Sequence, residues 1–195
     1  GVNTGGVSVG MGASITGVDL TAVRNIALPG FAETNRGRGD GRAVQGFAEL
    51  SYAIEAGNAT YRPFASVAVG EFKLDALTET GGAAALSVRR QSYRSGSVTV
   101  GADGTVGMGR VNLSGTLAGR FQVGDRDPAA QIALAAAPAQ AFTIRGVQLD
   151  SFALAARLDA TVKLTDGADL SLGYTGLIGK DTADHGARAT LSVRF

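Results

Sequence analysis

The chain has 195 residues, among them 29 glycines, no cysteine, no tryptophan and one histidine, and its net charge is +1. So even a balance excludes a nucleic-acid binder that relies on phosphate attraction, and 45% hydrophobic residues exclude a disordered chain. The absence of cysteine removes disulfide scaffolds, thiolate metal sites and cysteine nucleophiles, and a single histidine leaves little for a multi-histidine site.

The length suits one domain. The N-terminus, Gly1-Val2-Asn3-Thr4, has neither the basic nor the apolar region of a signal peptide. No run approaches the roughly 18 apolar residues of a membrane-spanning helix.

Alternation of apolar and polar residues is the dominant pattern, and a period of two means strands with one oily and one polar face. In chain order, Val7, Val9, Met11, Ala13 and Ile15 alternate with Ser8, Gly10, Gly12, Ser14 and Thr16. A long polar connection is predicted from Asn25 to Arg42. Ala48, Leu50, Tyr52 and Ile54 open the next strand, which ends in a short turn at Glu55-Ala56-Gly57-Asn58. Tyr61, Pro63, Ala65, Val67 and Val69 form one face of the third strand. Its alternation breaks near Glu71 to Leu74, which reads as a bulge or as the strand leaving an apolar layer. A second long connection runs from Asp75 to Ala83.

Ala84 to Gly101 is strand-like but polar on both faces between Arg89 and Ser97, and Gly101 to Gly109 reads as a turn. Val111 to Val123 alternates without interruption. From Asp125 to Gly146 comes a third long connection, within which Gln131 to Arg145 is apolar enough for an extra hairpin. Phe152, Leu154, Ala156, Leu158, Ala160, Val162 and Leu164 are apolar at every second position, followed by a short turn at Thr165 to Ala168. Leu170, Leu172, Tyr174 and Ile178 precede a last loop, Lys180 to Gly186. Ala187, Ala189, Leu191, Val193 and Phe195 close the chain.

About eight strands result, each longer than the usual five or six residues. Short turns alternate with long connections, as they do in outer-membrane barrels. The charges within strand cores, Glu49, Arg62, Arg120, Arg157, Asp159, Lys163, Arg188 and Arg194, fall on one face. Arg or Lys at a lipid midplane costs about 2–4 kcal/mol, so these eight are the expected pore lining. The competing fold, a soluble sandwich, hides its oily face against a second sheet and predicts shorter strands without loop asymmetry. An aromatic girdle is thin, with Tyr61 and Phe195 near one rim and Tyr174 nearer mid-strand.

Motifs suggestive of chemistry have plainer readings. Gly6-Val7-Ser8-Val9-Gly10 matches a nucleophile elbow, but alternation continues through it to Ile15 where a helix is required. His185, in Asp181 to Gly186, reads as part of a polar loop. Arg38-Gly39-Asp40 has the glycine-and-charge composition of a flexible loop. The glycines at 101, 104, 107 and 109 lack the Lys-Ser/Thr ending of a phosphate cradle. No catalytic, metal or cofactor residues are expected, and no small-molecule substrate.

Three passages carry a family resemblance. Gln45-Gly46-Phe47-Ala48-Glu49-Leu50-Ser51-Tyr52 is followed after a short turn by Arg62-Pro63-Phe64-Ala65-Ser66-Val67-Ala68. Thr78-Glu79-Thr80-Gly81-Gly82-Ala83-Ala84-Ala85-Leu86 is a loop. Leu172-Gly173-Tyr174-Thr175-Gly176 precedes the terminal Leu191-Ser192-Val193-Arg194-Phe195. In order and spacing they resemble the C-terminal translocator domain of autotransporters, the type V secretion proteins of Gram-negative bacteria. Leu77 departs from the pattern, standing where the family has Phe.

The resemblance implies an antiparallel transmembrane β-barrel in the bacterial outer membrane, acting as a translocator pore for its own N-terminal passenger, with long loops outside and short turns in the periplasm. It implies barrel-assembly machinery as a partner, reading Leu191, Val193 and Phe195 as a C-terminal signal, and outer-membrane lipid as surroundings. Family barrels have about twelve strands and a lumenal helix. The whole chain, 1–195, is therefore expected to be an N-terminally incomplete translocator domain holding the last eight strands, with Gly1 a cut within a longer polypeptide. The alternative is a complete eight-stranded outer-membrane structural protein or adhesin.

Overall fold

The computed structural model describes residues 2–4 and 6–194. Phe195, the last residue of the expected assembly signal, lies outside them. The described residues form β1 (Val2–Thr4), β2 (Val7–Leu28), β3 (Phe31–Tyr52), β4 (Ile54–Ala56), β5 (Ala59–Leu74), β6 (Leu77–Thr78) and β7 (Leu86–Val88). These are followed by β8 (Gln91–Met108), β9 (Val111–Gly124), β10 (Ala129–Leu134), β11 (Phe142–Arg145), β12 (Phe152–Thr165), β13 (Ala168–Gly179) and β14 (Ala183–Val193).

Eight long strands pair antiparallel in the order β2-β3-β5-β8-β9-β12-β13-β14. Each pairs with its sequence neighbours among the long strands, so the sheet is an up-and-down meander, and it curls strongly into a half-barrel. β1 folds back on the start of β2, and β4 continues β3 beyond a break at Ala53. Short turns join β2 to β3 at Pro29-Gly30, where Gly30 takes φ 79°, and β8 to β9 at Gly109-Arg110, where Gly109 takes φ 62°. The connections after β5 and β9 instead build a second sheet at one end of the first, in the order β11-β10-β7-β6.

The register carries every strand's alternation across the sheet. One continuous face holds Met11, Ala48, Val67, Val98 and Phe121, residues that stand directly opposite one another on successive strands. Its side chains are open: Met11 is 74% exposed, Ile15 75%, Leu158 61% and Leu191 62%. A soluble sandwich is ruled out by this exposure, because no second sheet covers the apolar face among the described residues. Fully buried apolar side chains are few and mostly alanines.

On β2 the apolar series runs from Val7 to Ile15 and then meets Asp19 on the same face. Eight steps of about 3.4 Å, tilted by roughly 40°, make a band about 21 Å tall, close to the hydrocarbon layer that such strands cross.

Several sequence expectations need correction. Asn25 to Arg42 is not a loop: β2 and β3 stay paired through every residue from Val7–Tyr52 to Leu28–Phe31. Arg38-Gly39-Asp40 therefore lies within a strand, its two charged side chains on one face and Gly39 on the other. Gly101 to Gly109 is not a turn either, since β8 runs through it to Met108. Glycine's lack of side chain in the pattern had hidden a strand whose hydrogen-bonding register never falters. No bulge interrupts Glu71 to Leu74; β5 keeps its pairing to both neighbours and simply passes beyond the apolar band. His185 belongs to β14, not to a loop. It sits on the apolar face, where its Nδ1 lies 2.8 Å from the Tyr174 hydroxyl. The extra hairpin does form, as β10 and β11.

Candidate functional site: the polar concave face

The opposite face of the sheet is polar. Because successive residues of a strand point to opposite faces, the pairings place Glu49, Arg62, Arg120, Arg157, Asp159, Lys163 and Arg188 all on it. Arg194 follows in phase, its N–H donating to the Gly167 carbonyl at 2.8 Å. This face is concave. A hollow of about 550 Å³ opens on it, lined by Ser14, Gln45, Phe47, Tyr93, Ser97 and Arg120 among others.

Two clusters organise the charges. In the first, Arg62 on β5 reaches both neighbouring strands. Its Nη1 donates to Glu49 Oε1 and Ser51 Oγ on β3, each at 3.3 Å, and its Nη2 pairs with Asp103 on β8. Asp103 in turn accepts the Thr116 hydroxyl at 2.7 Å from β9. One guanidinium thus ties four strands into a single polar row. A guanidinium suits this position because its fork of donors can serve two carboxylates at once.

The second cluster centres on Asp159 of β12. Arg157 Nε donates to it at 2.5 Å, and Arg188 Nη2 of β14 at 3.4 Å. β13 lies between β12 and β14, and the residue it offers there is Gly173. A Cβ at Gly173 would come within 2.7 Å of Asp159 Oδ1. The missing side chain is what lets Asp159 and Arg188 meet across an intervening strand. Lys163 and Arg194 stand apart from these clusters, near Asp166 at 3.1 Å and Asp169 at 3.9 Å. Arg120 donates to Gln122 Oε1 at 3.5 Å and makes no ion pair among the described residues.

Asp103 and Asp169 were missed from sequence. Asp103 lies in the Gly-rich stretch read as a turn; counting in phase from Thr99 through Gly101 would have placed it on the polar face.

At the long-connection end a strap crosses this same face. Asp75 to Ala84 runs along the free edge of β3, with Arg36 and Thr80 exchanging backbone hydrogen bonds at 2.9 and 2.8 Å. Leu77 and Glu79 turn inward and cover Gly37 and Gly39, whose hydrogens leave the space they fill. Arg24 of β2 locks the strap: its Nη2 donates to Glu79 Oε2 at 2.6 Å and to the Ala84 carbonyl at 2.6 Å. The Glu33 carboxylate accepts the N–H groups of Ala83 at 2.8 Å and Ala84 at 3.0 Å. Arg24 and then the Leu86 N–H hold the Glu79 carboxyl below its ordinary range, and the Ala84 and Ala83 amides do the same for Glu33. Gly81, at φ 136°, is required where the strap turns, since a Cβ there would collide with the Thr34 carbonyl oxygen.

Chemically, the face is a polar wall of mixed charge. Its acids and bases are spread as ion pairs, and no group of three or more metal-ligating side chains converges among the described residues. Ser8 lies in the β2–β3 ladder opposite Ser51, without the sharp turn of a nucleophile elbow.

Comparison with known proteins places this geometry. The family model described as the autotransporter beta-domain matches residues 1–175. Two proteins of Serratia marcescens, each described as an extracellular serine protease, are 24% identical to the chain over 195 residues. The match covers 98% of this chain and 19% of each relative, so the chain spans about a fifth of their length.

Proposed function

The chain belongs to the autotransporter β-domain family, the outer-membrane translocators of passenger export, and on that premise we propose how its two faces divide the work. A translocator β-domain is not itself a catalyst, whereas the Serratia relatives are named as proteases over a length five times greater. The convex apolar face meets lipid. The concave face, with Glu49, Arg62, Arg120, Arg157, Asp159, Lys163, Arg188 and Arg194, lines a water-filled passage for an N-terminal passenger.

The observation that carries this reading is the strict partition of charge: the register puts all the strand-core charges named above on the concave side and leaves Leu158, Leu172 and Leu191 open on the convex side. Among the described residues, β14 pairs only with β13, and β2 beyond Val9 only with β3. Unsatisfied strand edges are not tolerated in hydrocarbon. Further strands, four in the resemblance drawn above, therefore join β14 to β2 and close the barrel. That requirement also disfavours a self-sufficient eight-stranded adhesin. The strap, the second sheet and the β2–β3 extension with its Pro29-Gly30 tip face the cell exterior, and the turns at Gly57-Asn58, Gly109-Arg110 and Asp166-Gly167 face the periplasm. Leu191, Val193 and Phe195 form the signal for the barrel-assembly machinery.

These 195 residues contain no cysteine, so with any cysteine elsewhere in the full-length protein changed to serine the test is direct. Arg157→Cys and Leu158→Cys are introduced singly in the full-length protein, and intact outer membranes are treated with a membrane-impermeant, water-soluble maleimide after the periplasm is opened. Arg157→Cys labels and Leu158→Cys does not. Equal labelling of both would sink the assignment of the faces.

A further inference from the structure

The convex face is not uniformly apolar at its long-connection end. The register defines its layers. One row across the strands reads Ala13, Gly46, Val69, Gly96 and Val123. The next row outward holds Ile15, Val44, Glu71 and Arg94, and the one beyond holds Gly17, Arg42, Lys73 and Ser92. A glycine therefore flanks Val69 on each side. At Gly46 this leaves a furrow along β3, whereas over Gly96 the methyls of Val69 and Val123 close in, 3.3 and 3.1 Å from where a Cβ would stand. Together with the residues around it the furrow forms an open depression of about 730 Å³. Arg42 and Arg94 stand at its rim.

At that rim like charges are crowded together. Arg42 and Lys73 stand directly opposite each other on adjacent strands, an arrangement that is destabilising by itself. Glu71 serves both Lys73, at 2.9 Å, and Arg94, at 2.5 Å. Arg42 makes no ion pair among the described residues. Arg94 also has the Asp125 carboxylate beside it, which accepts the Arg94 backbone N–H at 2.9 Å, so among the described residues Arg42 is the rim cation left without a carboxylate partner. Asp19 and Asp40 stand opposite each other in the layer beyond, and Arg38 and Arg36 farther out.

We propose that this depression binds a membrane lipid with a phosphorylated head group, its phosphates on Arg42, Lys73 and Arg94 and an acyl chain along the furrow at Gly46. The inference rests on the reading that the convex face lies in lipid. Guanidinium and ammonium groups at the margin of an apolar layer complement phosphate. An apolar furrow directly beside the cations, lined by Ala13, Val44 and Val69, suits a lipid chain, which a free anion lacks. Gly46 keeps the furrow open, and the like-charged Arg42–Lys73 pair above it is explained by an anion held between them.

The test uses the full-length protein, folded into phosphatidylcholine vesicles and checked by the heat-dependent shift of folded barrels on gels. Binding of lipid A, a diphosphorylated glucosamine disaccharide with several acyl chains, is compared with binding of its dephosphorylated form. Wild type prefers the phosphorylated lipid. Arg42→Gln combined with Lys73→Gln weakens that binding roughly 10- to 30-fold, at about 1 kcal/mol per cation. Gly46→Leu, whose Cβ meets nothing closer than 3.6 Å, fills the furrow and weakens binding several-fold while the protein remains folded. Lys180→Gln combined with Arg110→Gln, the same loss of two positive charges in distant turns, leaves affinity unaltered. Equal affinity for the two lipids, or displacement of lipid A by millimolar inorganic phosphate, overturns the proposal. A wild-type protein that never inserts into vesicles overturns the membrane reading instead.

Discussion

At the scale of single residues, parity decides what a substitution does. Leu158 stands mid-strand on the convex face, opposite Gly115 on one side and Tyr174 on the other. Leu158→Arg places a cation at the depth where burial in lipid costs about 2–4 kcal/mol. Lys163→Gln removes one partner of an exposed pair with Asp166, 52% and 104% exposed, an interaction worth about 0–1 kcal/mol. The first change is expected to abolish most of the heat-modifiable folded form and the second to leave it intact. Equal loss in both would contradict the partition of faces.

Glycine plays an unusual part at this scale. Gly173 opens a path between Asp159 and Arg188, and Gly176 leaves room for the Tyr174 ring to lean toward His185. These are positions where a neighbour needs the space, which is why so glycine-rich a strand set still makes a regular sheet.

Among the elements, the strap Asp75 to Ala84 is the one whose hold depends on charge. Its motif, Thr78 to Leu86, has a physical reading: Glu79 reaches Arg24, Gly81 makes the turn, and Leu86 donates its N–H to Glu79 Oε2 at 2.9 Å. Glu79 is 7% exposed. Glu79→Gln keeps the shape but removes the charge, so it leaves the Arg24 guanidinium with a weaker partner. The expected outcome is cleavage of the strap by added protease in folded protein that otherwise resists it.

The pH dependence has a definite sign. The folded carboxyl of Glu79 titrates below its ordinary range. The stabilisation it provides is therefore complete above the unfolded value of about 4.3 and is lost as pH falls through the lower folded value. Strap protection measured by hydrogen exchange should be the same at pH 7 and pH 5, and should fail only in stronger acid. A strap that loosens between pH 7 and pH 5 would show that another group holds it.

On the scale of the whole molecule, the sheet has no conventional core. Its buried apolar side chains are mostly alanines, and most of its large ones are exposed. Stability in such a sheet comes from the backbone ladder, from polar rows such as Glu49–Arg62–Asp103–Thr116, and from lipid on the convex side. It follows that the edges decide the fate of the fold. If further strands join β14 to β2, the amides of β14 in the full-length protein exchange as slowly as those of β12. Fast exchange at alternate β14 amides would show that the sheet stays open.

The alternating pattern by itself determined the strand class, the strand count and the separation of charges from oily residues. It could do so because the period of a strand is two and a single phase error moves a whole strand to the wrong face. The sequence also showed the extra hairpin within Gln131 to Arg145.

Strand length and partnership were left to the tertiary structure. Asn25 to Arg42 and Gly101 to Met108 are polar or glycine-rich, so no hydrophobic phase marks them as strand, and only their neighbours' hydrogen bonds make them so. Asp103 was overlooked for that reason, although the phase from Thr99 reaches it. The Arg24–Glu79 lock, with partners 55 residues apart, and the meeting of Asp159 with Arg188 across Gly173 arise from register and curl, which couple residues that no local pattern connects.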